Sequence, residues 1–135
     1  MSQAIPHVSS ADAPYWNAMA EGRLTMQHCS CGTWHWPAVW RCGACGAFDP
    51  PWEDIAFQGQ VFSWQKTFHP FGGTEEIGLP YVTVLAELPH AGGRRLLAIY
   101  EGDDALLRPG LPLVGRFATT MHGGQPIPAL RWLPA

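Results

Sequence analysis

The sequence predicts a mainly β protein in three parts: an N-terminal helix, a small metal-binding ribbon and a five-stranded barrel. Three observations support this prediction. The 15 glycines and 13 prolines favour turns and short strands over long helices. All four cysteines lie close together in two pairs, and strand-like segments alternate with turn residues beyond residue 51. We therefore divide the chain into residues 1–22 (tail and helix), 23–50 (ribbon) and 51–135 (barrel).

Composition restricts the classes of protein to which the chain can belong. Charged residues make up only 14% of the sequence, whereas about a quarter is usual in a globular protein, and this favours a surface partly covered by a partner. The net charge of −3 argues against a nucleic-acid-binding face. Residues 1–14 show no signal-peptide pattern, and no apolar run has membrane-spanning length. We therefore expect a cytoplasmic protein whose thiols stay reduced.

The N-terminal part predicts a tail followed by a short helix. The first ten residues have the character of a disordered tail. Ser10 or Asp12 can cap a helix that reaches Glu21. Tyr15 and Met19 are four residues apart and would share one face of that helix. The face packs either on the chain's own domain or on another subunit, and the sequence leaves both interpretations open.

The ribbon is predicted from the spacing of the cysteines. A strand, Leu24–His28, leads into Cys29 and Cys31, and residues 32–41 separate this pair from Cys42 and Cys45. A glycine follows the second cysteine of each pair, which lets the backbone fold back behind the thiolate. Two such knuckles can supply the four thiolates of a tetrahedral zinc site. Because four protein ligands close the coordination shell, such a zinc would be structural and would have no position for a catalytic water.

The identity of one zinc ligand stays open at this point. The first knuckle has a single residue between its two cysteines, one fewer than a zinc knuckle normally has. His28 and Cys31 have the same spacing as Cys42 and Cys45, so His28 is the alternative to Cys29 as a ligand. Structural cysteines without a metal, reduced or disulfide-bonded, are the remaining interpretation.

The barrel is predicted from strand-like runs that follow an Asp-Pro-Pro turn at residues 49–51. Gly59 suggests a bend or bulge in the first run, and a helical turn that begins at Asp103 separates the third run from the fourth. This order is typical of a closed Greek-key barrel of the OB type, and an SH3-like barrel or a sandwich is the competing architecture. The runs are Trp52–Phe57 continuing into Val61–Phe68, Tyr81–Leu88, Arg94–Tyr100, Pro112–Thr119 and Ile127–Leu133.

The loop His69–Pro80 is the least regular part of the predicted barrel. His69 follows a hydrophobic strand and could project toward a ligand or a partner, while Phe68 and Phe71 could line an apolar wall beside it. A strand-end histidine bonded to backbone or water, in an ordinary surface loop, is the plainer interpretation. We retain Phe68, His69 and Phe71 as candidate substrate- or partner-facing residues.

No catalytic constellation stands out in the sequence. The four cysteines serve better as metal ligands than as nucleophiles. The six histidines are scattered, and none has the context of a Ser/His/Asp triad. The adjacent acidic pairs fit caps, turns and solvated faces. We therefore expect this chain to contribute no catalytic residues.

Several segments together resemble a known family. They are Leu24–Gly46 with its two Cys-Gly knuckles, Gly59–Trp64, Leu79–Val82 and Leu107–Leu113. In this order, across residues 14–134, the chain resembles acyl-CoA-associated proteins that join a rubredoxin-like zinc ribbon to a C-terminal OB fold. It departs from their pattern in the shortened first knuckle. The resemblance implies a zinc-containing accessory subunit that braces a thiolase-fold partner, which would be a thiolase, an acyltransferase or a retro-aldolase, and that helps to enclose its acyl-CoA.

Two functions from other classes stay open beside this one. A zinc ribbon joined to an OB barrel can bind single-stranded nucleic acid, which would require a basic groove with exposed aromatic side chains. A rubredoxin-like site can instead hold iron and carry electrons, which would give a coloured protein without stoichiometric zinc.

Overall fold

The computed structural model describes residues 10–135 and contains an N-terminal helix, a three-stranded sheet and a closed five-stranded barrel. The predicted mainly β class is therefore confirmed. The elements, in chain order, are helix α1 (Ala13–Ala20), the sheet strands β1 (Leu24–His28), β2 (Trp34–His35) and β3 (Trp52–Ile55), and the barrel strands β4 (Gln58–Thr67), β5 (Tyr81–Leu88), β6 (Arg94–Tyr100), β7 (Pro112–His122) and β8 (Gln125–Pro134).

Helix α1 packs on the chain's own core. Tyr15 and Met19 are both buried there, so the within-domain interpretation of this helix is correct for these two side chains. Asp12 is the N-cap residue, and its carboxylate accepts a hydrogen bond from the indole of Trp16 at 3.1 Å rather than from the helix backbone. The predicted tail falls almost entirely on residues 1–9, which lie outside the described residues.

Strand β3 belongs to the ribbon sheet, which corrects the sequence prediction. The sequence places Trp52–Phe57 in the first barrel strand, but β3 pairs antiparallel with β1 instead. This pairing lays the two apolar ends of β3 against the core, and an ion pair of 2.6 Å between Arg23 and Asp54 joins the strand to the start of β1. The chain then turns at Ala56, whose carbonyl accepts a hydrogen bond from the N–H of Gln58 at 2.9 Å.

The barrel closes in the order β4-β5-β6-β8-β7, and β7 pairs back onto β4. All neighbouring strands are antiparallel except β6 and β8, which are parallel. This Greek-key order is that of the OB type, so the competing sandwich is excluded. Burial alternates along β5 from Val82 to Leu88, as a strand with one face toward the core requires.

Gly59 is not the point at which β4 becomes irregular. The register between β4 and β5 shifts between Val61 and Ser63, which leaves Phe62 as the extra residue of a bulge. Gly59 instead lies close to β5, where a Cβ atom would be 3.0 Å from the carbonyl oxygen of Glu87. Glycine is favoured at this position because the two backbones approach each other closely.

A single apolar core connects helix, ribbon and barrel. Trp132 of β8 is fully buried, and its indole N–H donates to the carbonyl oxygen of Leu96 at 3.2 Å. Met19 of α1 and Met26 of β1 belong to the same cluster of buried side chains. Within residues 10–135, no helix is both long and apolar enough to cross a membrane.

Candidate metal centre and partner-facing surface

Two backbone turns bring the cysteine pairs together. After β1, the N–H of Cys29 donates to the carbonyl of Thr33, and the N–H of Gly32 donates back to the carbonyl of Cys29, at 2.9 and 2.8 Å. The second knuckle repeats this pattern: the N–H of Cys42 donates to the carbonyl of Ala47, and the N–H of Gly46 donates to the carbonyl of Cys42. Both knuckle glycines have positive φ angles, 96° and 81°, which favour glycine over residues with a Cβ.

The four cysteine sulfurs have the separations that a tetrahedral metal requires. The Sγ atoms of Cys29, Cys31, Cys42 and Cys45 all lie within 4.8 Å of one another. The distance is 3.5 Å from Cys29 to Cys45 and 3.7 Å from Cys31 to Cys42, so neither pair is a disulfide. Zinc with four sulfurs at about 2.3 Å needs sulfurs about 3.8 Å apart. The cluster therefore fits a structural zinc held by four thiolates.

His28 lies beside this cluster and makes other contacts. Its Nδ1 is 2.5 Å from a carboxylate oxygen of Glu53 on β3, and its ring stacks on Trp34 with centroids 3.8 Å apart. Cys29, in contrast, is buried and faces the other three sulfurs. The short first knuckle therefore bends enough to present both of its cysteines, and the geometry favours Cys29 over His28 as the fourth ligand.

Two side chains near the site were not identified from the sequence. His35 is buried, and its Nε2 lies 3.2 Å from Sγ of Cys42. Gln27 is also buried, and its amide donates to the carbonyl and accepts from the N–H of Val39, both at 2.8 Å. The two residues face each other across β1 and β2. His35 contacts the ligand Cys42, and Gln27 holds the segment between the two knuckles through Val39.

Local hydrogen bonds favour the thiolate form, which metal binding needs, in Cys31 and Cys42, whereas the neighbouring thiols and burial raise the pKa of Cys45 to about 11. The hydroxyl of Thr33, 3.2 Å from Sγ of Cys31, and then the backbone N–H of Thr33 lower the pKa of Cys31 to about 6. The backbone N–H of Cys45 lowers the pKa of Cys42. Zinc bound here would cross-link the two knuckles, and the closed set of ligands gives it no position for substrate.

The three candidate partner-facing residues lie together at the start of the loop. The side chains of Phe68 and Phe71 are exposed by 69% and 55%, which is unusual for phenylalanine. His69 is also exposed, and its ring packs edge-on against Phe71 with centroids 4.6 Å apart. The amine of Lys66 lies 5.8 Å from the centre of the Phe68 ring. Their role in contacting a partner or a substrate stays a prediction.

A cavity of about 480 Å³ opens beside this loop at one end of the barrel. Two basic residues line it together with three acidic ones, Glu76, Glu101 and Asp104. Lys66 is paired with Asp104 at 2.7 Å, whereas Arg131 donates to the hydroxyl of Thr120 and has no ion pair within residues 10–135. Burial lowers the pKa of Arg131. The arginine therefore offers a half-buried positive group at the wall of the cavity.

Comparisons with known proteins agree with this geometry. Residues 16–50 match the family model described as "ChsH2, rubredoxin-like zinc ribbon domain". The whole chain is similar to a solved structure titled "Ltp2-ChsH2(DUF35) aldolase", with a TM-score of 0.79 and 28% identity over 96% of this chain and 98% of that chain. No curated protein matches the chain in sequence.

A second solved structure shows the fold alone. It is a protein of unknown function from the DUF35 family of Sulfolobus solfataricus, with a TM-score of 0.61 and 18% identity over 96% of this chain and 89% of that chain. The ribbon thus matches the ChsH2 zinc-ribbon family, and the whole chain is similar to the solved structure of a ChsH2(DUF35) protein.

Proposed function

We propose that this chain is a non-catalytic, zinc-containing subunit of a heteromeric thiolase-like enzyme that acts on acyl-CoA. The observation that carries the proposal is the similarity to the Ltp2-ChsH2(DUF35) aldolase structure, which extends over nearly the full length of both chains. A match of that extent includes helix, ribbon and barrel together, so it supports a shared role for the whole chain rather than for one module.

The use of the reactive side chains supports an accessory role. All four thiols are committed to one closed cluster, so none is left to act as a thiolase-type nucleophile. The histidines that the structure describes are spread over the chain and have different neighbours: His28 contacts Glu53, His35 contacts Cys42, His69 contacts Phe71, His90 contacts the carbonyl of Ala56 and His122 contacts the carbonyl of Gly73. The catalytic base and nucleophile would therefore come from the partner.

The barrel end offers a place where the chain could help to enclose an acyl-CoA. Phe68 and Phe71 present apolar surface on the adjoining loop, and Lys66 and Arg131 line the cavity together with three acidic residues, Glu76, Glu101 and Asp104. An acyl-CoA combines an apolar chain with phosphate groups, so both kinds of surface are useful for binding it. A zinc site of four thiolates also needs reducing conditions, and we therefore propose the cytoplasm as the location.

The proposal is tested by co-expression. The chain is produced with each thiolase-fold protein encoded in the same genome, and the products are separated by size-exclusion chromatography and assayed with acyl-CoA substrates. We expect one stable complex that contains zinc and is active, and an isolated chain that has no activity. If every thiolase-fold protein is stable and fully active without this chain, and none binds it, the proposal is wrong.

A further inference from the structure

An exposed groove with apolar side chains at its centre crosses the boundary between ribbon and barrel. It consists of two adjoining depressions, of about 560 and 220 Å³, that share Leu85 of β5 and Leu97 of β6. Trp36 and Pro37 of the ribbon form one end, and Trp64 of β4 forms the other. We call these five residues the ribbon–barrel groove.

The strand register explains why the groove is apolar and open. Leu85 pairs with Leu97 on β6 and with Ser63 on β4, so the two leucines lie side by side on the outer face of the barrel. Their neighbours along the strands, Val84 and Leu96, are buried on the inner face. Leu97 is 61% exposed, at a position where an outward-facing strand residue is normally polar. A patch of this kind marks an interaction surface rather than a core.

Two arginines flank the groove. The guanidinium of Arg95 lies 3.6 Å from the centre of the Phe62 ring, and Nε of Arg94 donates to the carbonyl of Trp34 at 2.7 Å. Both are therefore held in place by neighbours that carry no charge. Neither forms an ion pair within residues 10–135, although Glu87 is the cross-strand neighbour of Arg95. No Asp or Glu is among the residues that line either depression.

We propose that the ribbon–barrel groove is the docking surface for the catalytic subunit, an inference that rests on the proposed function. Charge complementarity defines the partner's surface: apolar side chains lie over Leu85 and Leu97, and carboxylates meet Arg94 and Arg95. Tryptophan and arginine are the residues that most often dominate such interfaces. The unpaired positive charges make an acidic protein face a better occupant than a second copy of this chain, which would bring the same arginines into contact with one another.

The test measures binding of the thiolase-fold protein that co-purifies with the chain, by titration calorimetry at two salt concentrations. Leu97→Glu and Arg95→Glu alter the groove. Val114→Glu and Arg108→Glu are the matched controls, because Val114 is an exposed aliphatic residue of β7, on another side of the barrel, and Arg108 is an exposed arginine outside the groove. Stoichiometric zinc and an unchanged thermal unfolding midpoint verify that each variant is folded.

We expect each groove variant to weaken binding by about tenfold or more, as is usual for a central interface residue, and each control to bind as the wild type does. The salt dependence of binding should also decrease in Arg95→Glu, since a charge-assisted contact is lost. If Leu97→Glu does not fold, the exposed Arg95 variant carries the test alone.

Three results would overturn the inference. Folded groove variants that bind with wild-type affinity would assign the interface to another surface and leave the proposed function intact. Concentration-dependent dimerisation of the isolated chain, abolished by Leu97→Glu, would make the groove a self-association site. If no thiolase-fold protein binds even the wild-type chain, the proposed function fails together with the docking surface.

Discussion

The Nε2 atom of buried His35 lies 3.2 Å from Sγ of Cys42 and so ties strand β2 to the second zinc knuckle. A hydrogen bond from imidazole to a zinc-bound thiolate holds the ligand in place and offsets part of its negative charge. We therefore expect His35→Phe to weaken zinc binding by about 10- to 100-fold, as is typical for the loss of a residue that supports a metal ligand.

Competition with a chromophoric chelator measures this effect. His35→Gln, which can still donate a hydrogen bond, should retain more of the affinity than His35→Phe does. His90→Gln is the control, because His90 is an exposed histidine that contacts only the carbonyl of Ala56 among the hydrogen bonds described. Equal zinc affinity in His35→Phe and the wild type would contradict the assigned role.

The choice between Cys29 and His28 can be tested directly. We expect Cys29→Ser to lose stoichiometric zinc, since its sulfur is one of four that lie within 4.8 Å of one another. His28→Ala should retain one zinc per chain, because its ring contacts Glu53 and Trp34 instead. Metal analysis of the two purified variants gives the answer, and the opposite pattern would make His28 the ligand.

The loop next to the cavity is held by a contact between Gly73 and His122. Gly73 has a φ of 89°, and a Cβ there would lie 2.6 Å from Cε1 of His122. We expect Gly73→Ala to cost about 1–3 kcal/mol of local stability, since an L-residue is strained at that φ and the imidazole must move away. Faster amide hydrogen exchange in residues 69–80 would report the change.

Gly72→Ala is the matched control for that variant. Gly72 is the preceding residue, its φ does not lie in the left-handed region, and no atom lies within 4 Å of the position of its Cβ. Its exchange rates should equal those of the wild type. Identical rates in Gly72→Ala and Gly73→Ala would show that the contact with His122 does not hold the loop.

Tyr15 should make the protein sensitive to high pH. Burial, and secondarily the charge of Asp12, raises the pKa of Tyr15 far above its ordinary value of 10.0. Above pH 10 the hydroxyl of Tyr15 stays protonated in the folded state, whereas it ionises in the unfolded chain. The free energy of unfolding is therefore unaffected by the ionisation of Tyr15 below pH 10 and decreases as the pH rises above that value.

We therefore expect Tyr15→Phe to lose less stability than the wild type between neutral pH and a pH above 10. Urea unfolding at each pH measures the two differences. Neutral pH serves as the internal control, because there the variant should differ only by the loss of one hydroxyl. An equal loss of stability in both proteins would show that Tyr15 is not the buried group responsible.

Local patterns were sufficient for most of the fold. Strand-like runs between turn residues identified β5 and β6, and the two Cys-Gly turns identified the cluster of four sulfurs. Local patterns do not predict which strands pair when the strands are far apart in the sequence. Trp52–Ile55 has strand character in either sheet, and only its register with β1 assigns it to the ribbon. The contact between His35 and Cys42 likewise depends on how a two-residue strand is placed.

Surface roles were the least predictable part. Leu97 appears in the sequence as one more apolar residue of a buried strand, and its exposure depends on which face of β6 turns outward. The sequence analysis selected Phe68 and Phe71 because they lie beside a long loop. Both side chains are exposed, as a partner-facing residue would be, but exposure alone assigns them no function.

The shared core of ribbon and barrel has a consequence for engineering and for evolution. Met19 and Met26 pack in one cluster with Trp132, and β3 leads into β4 through a tight turn at Ala56. A fragment that starts at residue 51 would expose the apolar side of the barrel that these methionines cover. Recombination that exchanged only the metal-binding half would also disrupt the packing of this shared core. We therefore expect the two halves to be inherited as one unit.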